Sequence, residues 1–202
     1  MSGGQSAVLV VDDEPSICDL YADHLRDEYD VTTATSGEAA LEALGDDVDV
    51  VLLDRRMPDL RGEAVLERIR DWGLQCRVAL VTAVEPSFDI VDMGFDRYLC
   101  KPVSKGALRE TVSTLETRNR YDARLGRYCA LLAKQALLRR QKTESELAAS
   151  EAYERLQSQI DALREETARI ATEFDAEDFR VAFRDLDGAA GADGRENVSQ
   201  RN

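Results

Sequence analysis

Three acids, a hydroxyl and an ammonium each stand at the end of a short apolar run in this chain. Asp12 and Asp13 follow AVLVV at 7–11, Asp54 follows VVLL at 50–53, Thr82 follows VALV at 78–81, and Lys101 follows the weaker run 97–100. Brought into one crevice, three carboxylates repel unless something neutralises them. A hard divalent cation does so, and Mg2+ in particular takes one or two carboxylates and keeps waters for its remaining positions. A cation beside Asp54 would also prepare that carboxylate as a nucleophile toward phosphorus, because it screens the approach of an anionic phosphoryl group. The product would be an aspartyl phosphate, its oxygens held by the Lys101 ammonium and the Thr82 hydroxyl. Pro102 follows Lys101, where a cis peptide costs little and would aim the lysine inward.

The elements that must position these groups are legible as alternating strands and helices. The apolar runs at 7–11, 50–53 and 78–81 are β-branched and continuous, as expected of strands covered on both faces, and weaker strands fit 29–33 and 97–100. Between them lie helical stripes. Ile17, Leu20, Tyr21 and Leu25 follow Pro15; Ala39, Ala40, Leu41, Ala43 and Leu44 follow a capping-box spacing of Thr35 and Glu38; Val65, Ile69 and Trp72 form a third. This alternation predicts a five-stranded, parallel, doubly wound α/β domain, whose ligands bind outside the carboxyl ends of the strands. Every one of the five residues falls at such an end.

VVDDEP at 10–15, LLDRRMPDLRG at 52–62, VTA at 81–83 and YLCKPV at 98–103 resemble, in order and spacing, the receiver domain of two-component response regulators. The resemblance covers about 115 residues and implies a flavodoxin-like sheet in the order 2-1-3-4-5. It implies that Asp54 accepts phosphate from a sensor histidine kinase, with Mg2+ held by Asp12, Asp13, Asp54 and the backbone carbonyl of Arg56. It implies a switch pair, Thr82 and Tyr98, and room for the phosphoryl group beside the small Ala83. Such a chain is no enzyme beyond catalysing its own phosphorylation and dephosphorylation. Arg56 and Val84 stand where the family tunes hydrolysis. One departure is expected to matter: Thr82 to Lys101 is 19 positions, about three fewer than usual, so the fourth helix should be short or irregular.

Beyond Ser104 the strand signal ends. Leu108, Val112, Leu115, Tyr121, Leu125, Tyr128, Leu131, Leu132 and Leu138 predict one helical rod to about Lys142, and a Thr143/Glu146 capping-box spacing marks a new start. Tyr153, Leu156, Ile160, Leu163, Thr167, Ile170 and Phe174 then recur at intervals of three and four, near the minimum for a coiled coil. Asp175 reads as the N-cap of a last short helix presenting Phe179, Ala182, Phe183 and Leu186. RYDARLGRYCALLAKQALL, EAYERLQ and EFDAEDFRVAFRDL resemble the HalX-type helical domain found behind receivers in haloarchaea. The expected organisation is a flexible N-terminus at 1–6, a receiver at 7–117, a helical domain at 118–187 and a disordered tail at 188–202.

Charge divides along the same lines. The chain of 202 residues carries a net charge of −14, and 22 of its 26 basic residues are arginine. Acid excess with scarce lysine resembles the proteins of salt-loving archaea, and it disfavours binding of polyanions by the surface as a whole. Residues 118–142 run the other way, with eight basic residues and one acid, whereas 144–187 hold thirteen acids and five basic residues. Either a basic helix packs on an acidic return helix, or it is reserved for DNA or an acidic partner. The stripe on the return helix either joins two chains in a homodimer or is used within one.

No apolar run approaches the ~20 residues of a membrane span, and the start has no basic n-region of a signal peptide, so a cytoplasmic protein is expected. Cys18, Cys76, Cys100 and Cys129 lack metal-ligand spacing and read as buried or partly buried thiols. His24 reads as a packing or surface residue. A phosphatase with an Asp nucleophile is the enzyme alternative, but Arg56 stands where its second aspartate would be. A coiled-coil adaptor with a decayed receiver is the structural one.

Overall fold

The computed structural model describes residues 5–172, and the chain divides between Asn119 and Arg120 into two compact units. In the first, β1 (Ala7–Val11), β2 (Asp30–Ala34), β3 (Val50–Leu53), β4 (Arg77–Thr82) and β5 (Arg97–Cys100) form one parallel sheet in the order β2-β1-β3-β4-β5. Helices α1 (Pro15–Leu25), α2 (Gly37–Ala43) and α3 (Gly62–Asp71) connect the strands, and α4 (Lys105–Gln141) follows β5. The fold class is therefore the flavodoxin-like one expected.

The continuous apolar strands serve two cores at once. Val8, Val10, Val50, Leu52, Ala79 and Val81 face α1 and the first turns of α4, burying Leu25, Leu108, Val112 and Leu115. Their neighbours Leu9, Val11, Val51, Leu53, Val78 and Leu80 face α2 and α3, against Ala40, Val65, Leu66 and Ile69. This two-residue alternation leaves no polar face, and each fully buried aliphatic side chain contributes about 1.5–3 kcal/mol.

Several local expectations are corrected. Helix α2 is capped by Ser36, whose hydroxyl accepts from the Ala39 N–H, and not by Thr35. Trp72 is the C-cap of α3 and half exposed, so it does not extend the Val65 and Ile69 stripe. Cys18 and Cys76 are buried, but Cys100 and Cys129 are exposed. Cys100 ends β5, the edge strand of the sheet. His24 is half-buried, and its main-chain oxygen accepts from Arg109 Nε at 2.7 Å.

The short segment between β4 and β5 holds only a 3-10 turn, Phe88–Ile90, in place of a fourth helix. What fastens it is a buried acid. Asp96 accepts from the Val78 N–H at 2.8 Å, from Arg77 at 2.7 Å and from Arg70 of α3 at 3.2 Å. Arg70 also donates to the main-chain oxygens of Gly94 and Cys76.

In the second unit, the remainder of α4 is followed by α5 (Glu144–Ala148) and α6 (Glu151–Ala171). The expected rod to about Lys142 is present, and Thr143 forms the capping box with Glu146. The return stretch is two helices and not one, because Ser150 caps a fresh start by accepting from the Tyr153 N–H. Helices α4 and α6 run antiparallel: Arg124 pairs with Glu166 at 2.9 Å, Leu131 packs with Ile160 and Leu163, and Arg139 donates to the Tyr153 hydroxyl at 3.0 Å. Leu138, at the far end of the predicted stripe, is more than a third exposed. Phe174, the short helix expected from Asp175 with Phe179, Ala182, Phe183 and Leu186, and the 188–202 tail lie outside the described residues. No helix among the described residues is long and apolar enough to cross a membrane.

Candidate functional site

The carboxyl ends of β1, β3, β4 and β5 bring all five chemistry-bearing residues together. Sheet register fixes their main chains: the Asp12 N–H donates to Ala34 O at 3.1 Å, the Asp54 N–H to Val11 O at 2.8 Å and the Lys101 N–H to Thr82 O at 2.9 Å. One carboxylate oxygen from each of Asp12, Asp13 and Asp54 lies within 4.8 Å of the other two. Lys101 Nζ donates to Asp12 Oδ2 at 2.6 Å and to Asp54 Oδ2 at 2.9 Å. The second oxygens accept from main-chain N–H groups, Asp12 Oδ1 from Glu14 at 3.1 Å and Asp54 Oδ1 from Arg56 at 3.2 Å. The peptide bond between Lys101 and Pro102 is cis.

The electrostatics of this cluster are unbalanced. Three carboxylates face one ammonium, with Asp12 2% and Asp54 7% exposed. Burial pushes the Asp12 carboxyl above its ordinary range, and the hydrogen bonds from Lys101 and Glu14 offset this only in part. Burial likewise works against the Lys101 ammonium, yet its bonds to Asp12 and Asp54 together outweigh that and hold it firmly charged. An all-oxygen donor set with surplus negative charge fits a hard divalent cation such as Mg2+.

Thr82, 1% exposed, accepts from the Val84 N–H at 3.4 Å. Tyr98 lies across the same loop and donates its hydroxyl to Val84 O at 2.8 Å, its ring tilted against Phe95 at a centroid distance of 5.7 Å. The expected switch pair is thus joined through the main chain of Val84. Ala83 beside it is exposed.

Sequence reasoning missed two residues that shape the site. Arg55, directly after Asp54, is buried and donates from Nε to Glu63 of α3 at 2.6 Å and from a terminal nitrogen to Asp89 of the 3-10 turn. Its bond to Asp89, opposed by burial and aided by Glu63, keeps the guanidinium charged. The apolar run had already ended at Leu53, so no local pattern marked Arg55. Gly62, at the start of α3, lies so close to β3 that a Cβ there would meet the Asp54 main-chain oxygen at 2.1 Å. Nothing in a single glycine announces that.

Comparison with known proteins follows the same two-part division. Residues 8–113 match the response regulator receiver domain, more than half of the chain, and residues 117–183 match the HalX domain. A Haloferax volcanii protein named as a transcriptional regulator is 48% identical over 163 residues, covering 80% of this chain and 28% of its own length. The response regulator SaeR of Staphylococcus epidermidis is 35% identical over 101 residues, covering 48% of this chain and 44% of SaeR. The chain therefore spans less than half the length of these relatives. Among solved structures, the BeF3-activated receiver domain of DrrB, a Thermotoga maritima protein, superposes with a TM-score of 0.52 at 25% identity, covering 55% of this chain and 97% of that one. With the sheet order, the acidic cluster and these matches in agreement, the chain belongs to the response regulator receiver family of two-component systems and carries a HalX domain behind the receiver.

Proposed function

We propose that the chain is a phosphoacceptor switch, phosphorylated on Asp54 by a sensor histidine kinase in the cytoplasm, with output through the C-terminal helices to transcription or signalling. The observation that carries this reading is the Lys101 ammonium bridging Asp12 and Asp54, with Asp13 completing the acidic cluster. Asp12, Asp13 and Asp54, with the main-chain carbonyl of Arg56, would hold Mg2+. When bound, the cation supplies charge screening for the approach of an anionic phosphoryl group to a carboxylate.

The chain's own residues do the rest. Asp54 Oδ1 is oriented by the Arg56 N–H, and Lys101 stands ready to hold a phosphoryl oxygen as a point charge. Thr82 offers a hydroxyl from the next strand end. Drawing that hydroxyl toward the phosphoryl group would disturb the Val84 amide it now accepts from, and Val84 O is where Tyr98 is tied. A local charge event would thereby reach the β4–β5 segment as a change in a two-state element. Arg56 supplies no general acid, which favours a single phosphorylation over phosphatase turnover. The BeF3-activated DrrB receiver and the Haloferax protein's name support the phosphoryl site and the transcriptional output respectively.

The test is uptake of label from an acyl phosphate with Mg2+. Wild type should become labelled once per chain and Asp54→Asn should not. Equal labelling of Asp54→Asn, or repeated turnover of a phosphate ester, would defeat the reading.

A further inference from the structure

The eight basic residues of 118–142 are not all used by the acidic helix opposite them. Arg118 is buried in the first unit; Arg124 pairs with Glu166, Arg139 bonds the Tyr153 hydroxyl, and Lys142 pairs with Glu146. Arg120, Arg127, Lys134 and Arg140 are exposed, and none has an ion pair or side-chain hydrogen bond among the described residues. The first three recur every seven residues, so they lie along one edge of α4 at intervals of about 10 Å; Arg140, six residues past Lys134, is turned about 120° from that edge, and the four span about 30 Å of the helix axis.

The surface between these cations is narrow. Ala123, Gly126, Ala130 and Ala133 are all exposed, and a Cβ added to Gly126 would meet nothing within 4 Å. This face lies away from the Tyr128, Leu131 and Leu132 contacts with α6. It offers Leu137 and Leu138 at one end and, among the described residues, otherwise no large apolar side chain. A protein interface needs buried aromatic or aliphatic anchors at its centre, and this face has small residues there. A polyanion backbone needs only cations at intervals and a helix slim enough to approach.

We infer that the outer face of α4, through Arg120, Arg127, Lys134 and Arg140, is a docking surface for the phosphate backbone of double-stranded DNA. This names the partner for the output assigned above to the C-terminal helices, and it rests on that assignment. It also gives local meaning to a charge pattern that the acidic whole conceals: among the described residues, the acids of the unit that remain unpaired, Glu144, Glu154, Asp161 and Glu165, sit on α5 and α6.

The test titrates the full chain with a fluorescent DNA duplex over a range of KCl concentrations. Four phosphate contacts give a slope of log K against log salt of about −3.6, and each single Ser substitution at the four positions flattens it by about 0.9. These side chains are exposed, so circular dichroism should match wild type. Glu154→Gln with Asp161→Asn on the opposite helix should leave the slope unchanged. Three results would overturn the inference: a wild-type slope near zero, slopes unaffected by the four substitutions, or poly-glutamate competing as well as DNA at equal charge, which would mark an acidic protein as the partner. Sedimentation in parallel adds a fourth, self-association abolished by the same substitutions while the DNA slope stands. Running Asp54→Asn alongside separates the two readings, because a failed phosphoacceptor assignment appears in label uptake and leaves the DNA slope untouched.

Discussion

Gly62 and Asp54 are packed main chain against main chain, with no space for even one carbon on Gly62, since a Cβ would lie 2.1 Å from the Asp54 oxygen and 3.0 Å from Arg55 Cα. The Gly62 N–H completes the contact by donating to Arg55 O at 3.1 Å. Helix α3 thus begins directly on the strand end that carries the phosphoacceptor, and its close approach holds Asp54 in register with Asp12.

Gly62→Ala should therefore damage both stability and chemistry. The atom it meets belongs to a strand end and cannot swing aside as a flexible side chain would, so overpacking of about 1–3 kcal/mol is expected. Urea denaturation should show a lowered midpoint, and acyl phosphate labelling should be slower even where the variant is folded. An unchanged midpoint would mean that α3 can slide on β3 at little cost.

Among the described residues, Lys101 is the one cation bonded to both buried carboxylates. Lys101→Ala leaves Asp12 and Asp54 without a counter-charge in a site where burial already works against Asp12 ionisation. Its thermal midpoint without Mg2+ should fall below wild type, since breaking a buried pair is costly. The rise in midpoint on adding Mg2+ should exceed that of wild type, because the cation then relieves a larger imbalance. A smaller rise than wild type would indicate that the lysine does not compete with the metal for those oxygens.

The Arg55 strut has a separate consequence. It ties Asp89 of the 3-10 turn to Glu63 of α3, in a segment that otherwise exposes Phe88 and Val91 to solvent. Asp89→Asn should loosen the turn, and amide exchange over 87–93 should quicken several-fold while the β-strand amides keep their protection. Equal exchange in both proteins would show that the Asp96 anchor alone holds the segment.

The strands and the five site residues were legible because both follow from local pattern. Apolar runs of four or five residues ended each time in a residue able to handle phosphate, and parallel topology makes such ends converge. The shortened β4–β5 segment was legible from spacing. Arg55, Gly62 and Asp96 were not, because their roles depend on contacts between different elements: Asp96 acts on Arg70, and Gly62 on Asp54. Ser36 displaced Thr35 as a cap through a shift of one residue, which spacing rules do not resolve. The charge contrast between 118–142 and 144–187 was plain, but which cations remain unpaired required the antiparallel register of Arg124 with Glu166.

The capping box at the hairpin turn supplies a pH prediction with a definite sign. Glu146 accepts from the Thr143 N–H at 2.9 Å, its largest stabilising contact, and from Lys142 at 3.1 Å, which together hold its carboxyl down at about 2 from an ordinary 4.5. A depressed folded pKa means that the unfolded chain binds the proton more readily. The contribution of the cap is accordingly complete above pH 4.5 and is lost as pH falls toward 2. Amide protection factors within α5 should decline through that window in wild type. In Glu146→Gln the same amides should start lower and show no such decline. Protection that rose on acidification would contradict the assignment of Glu146 as the residue closing the cap.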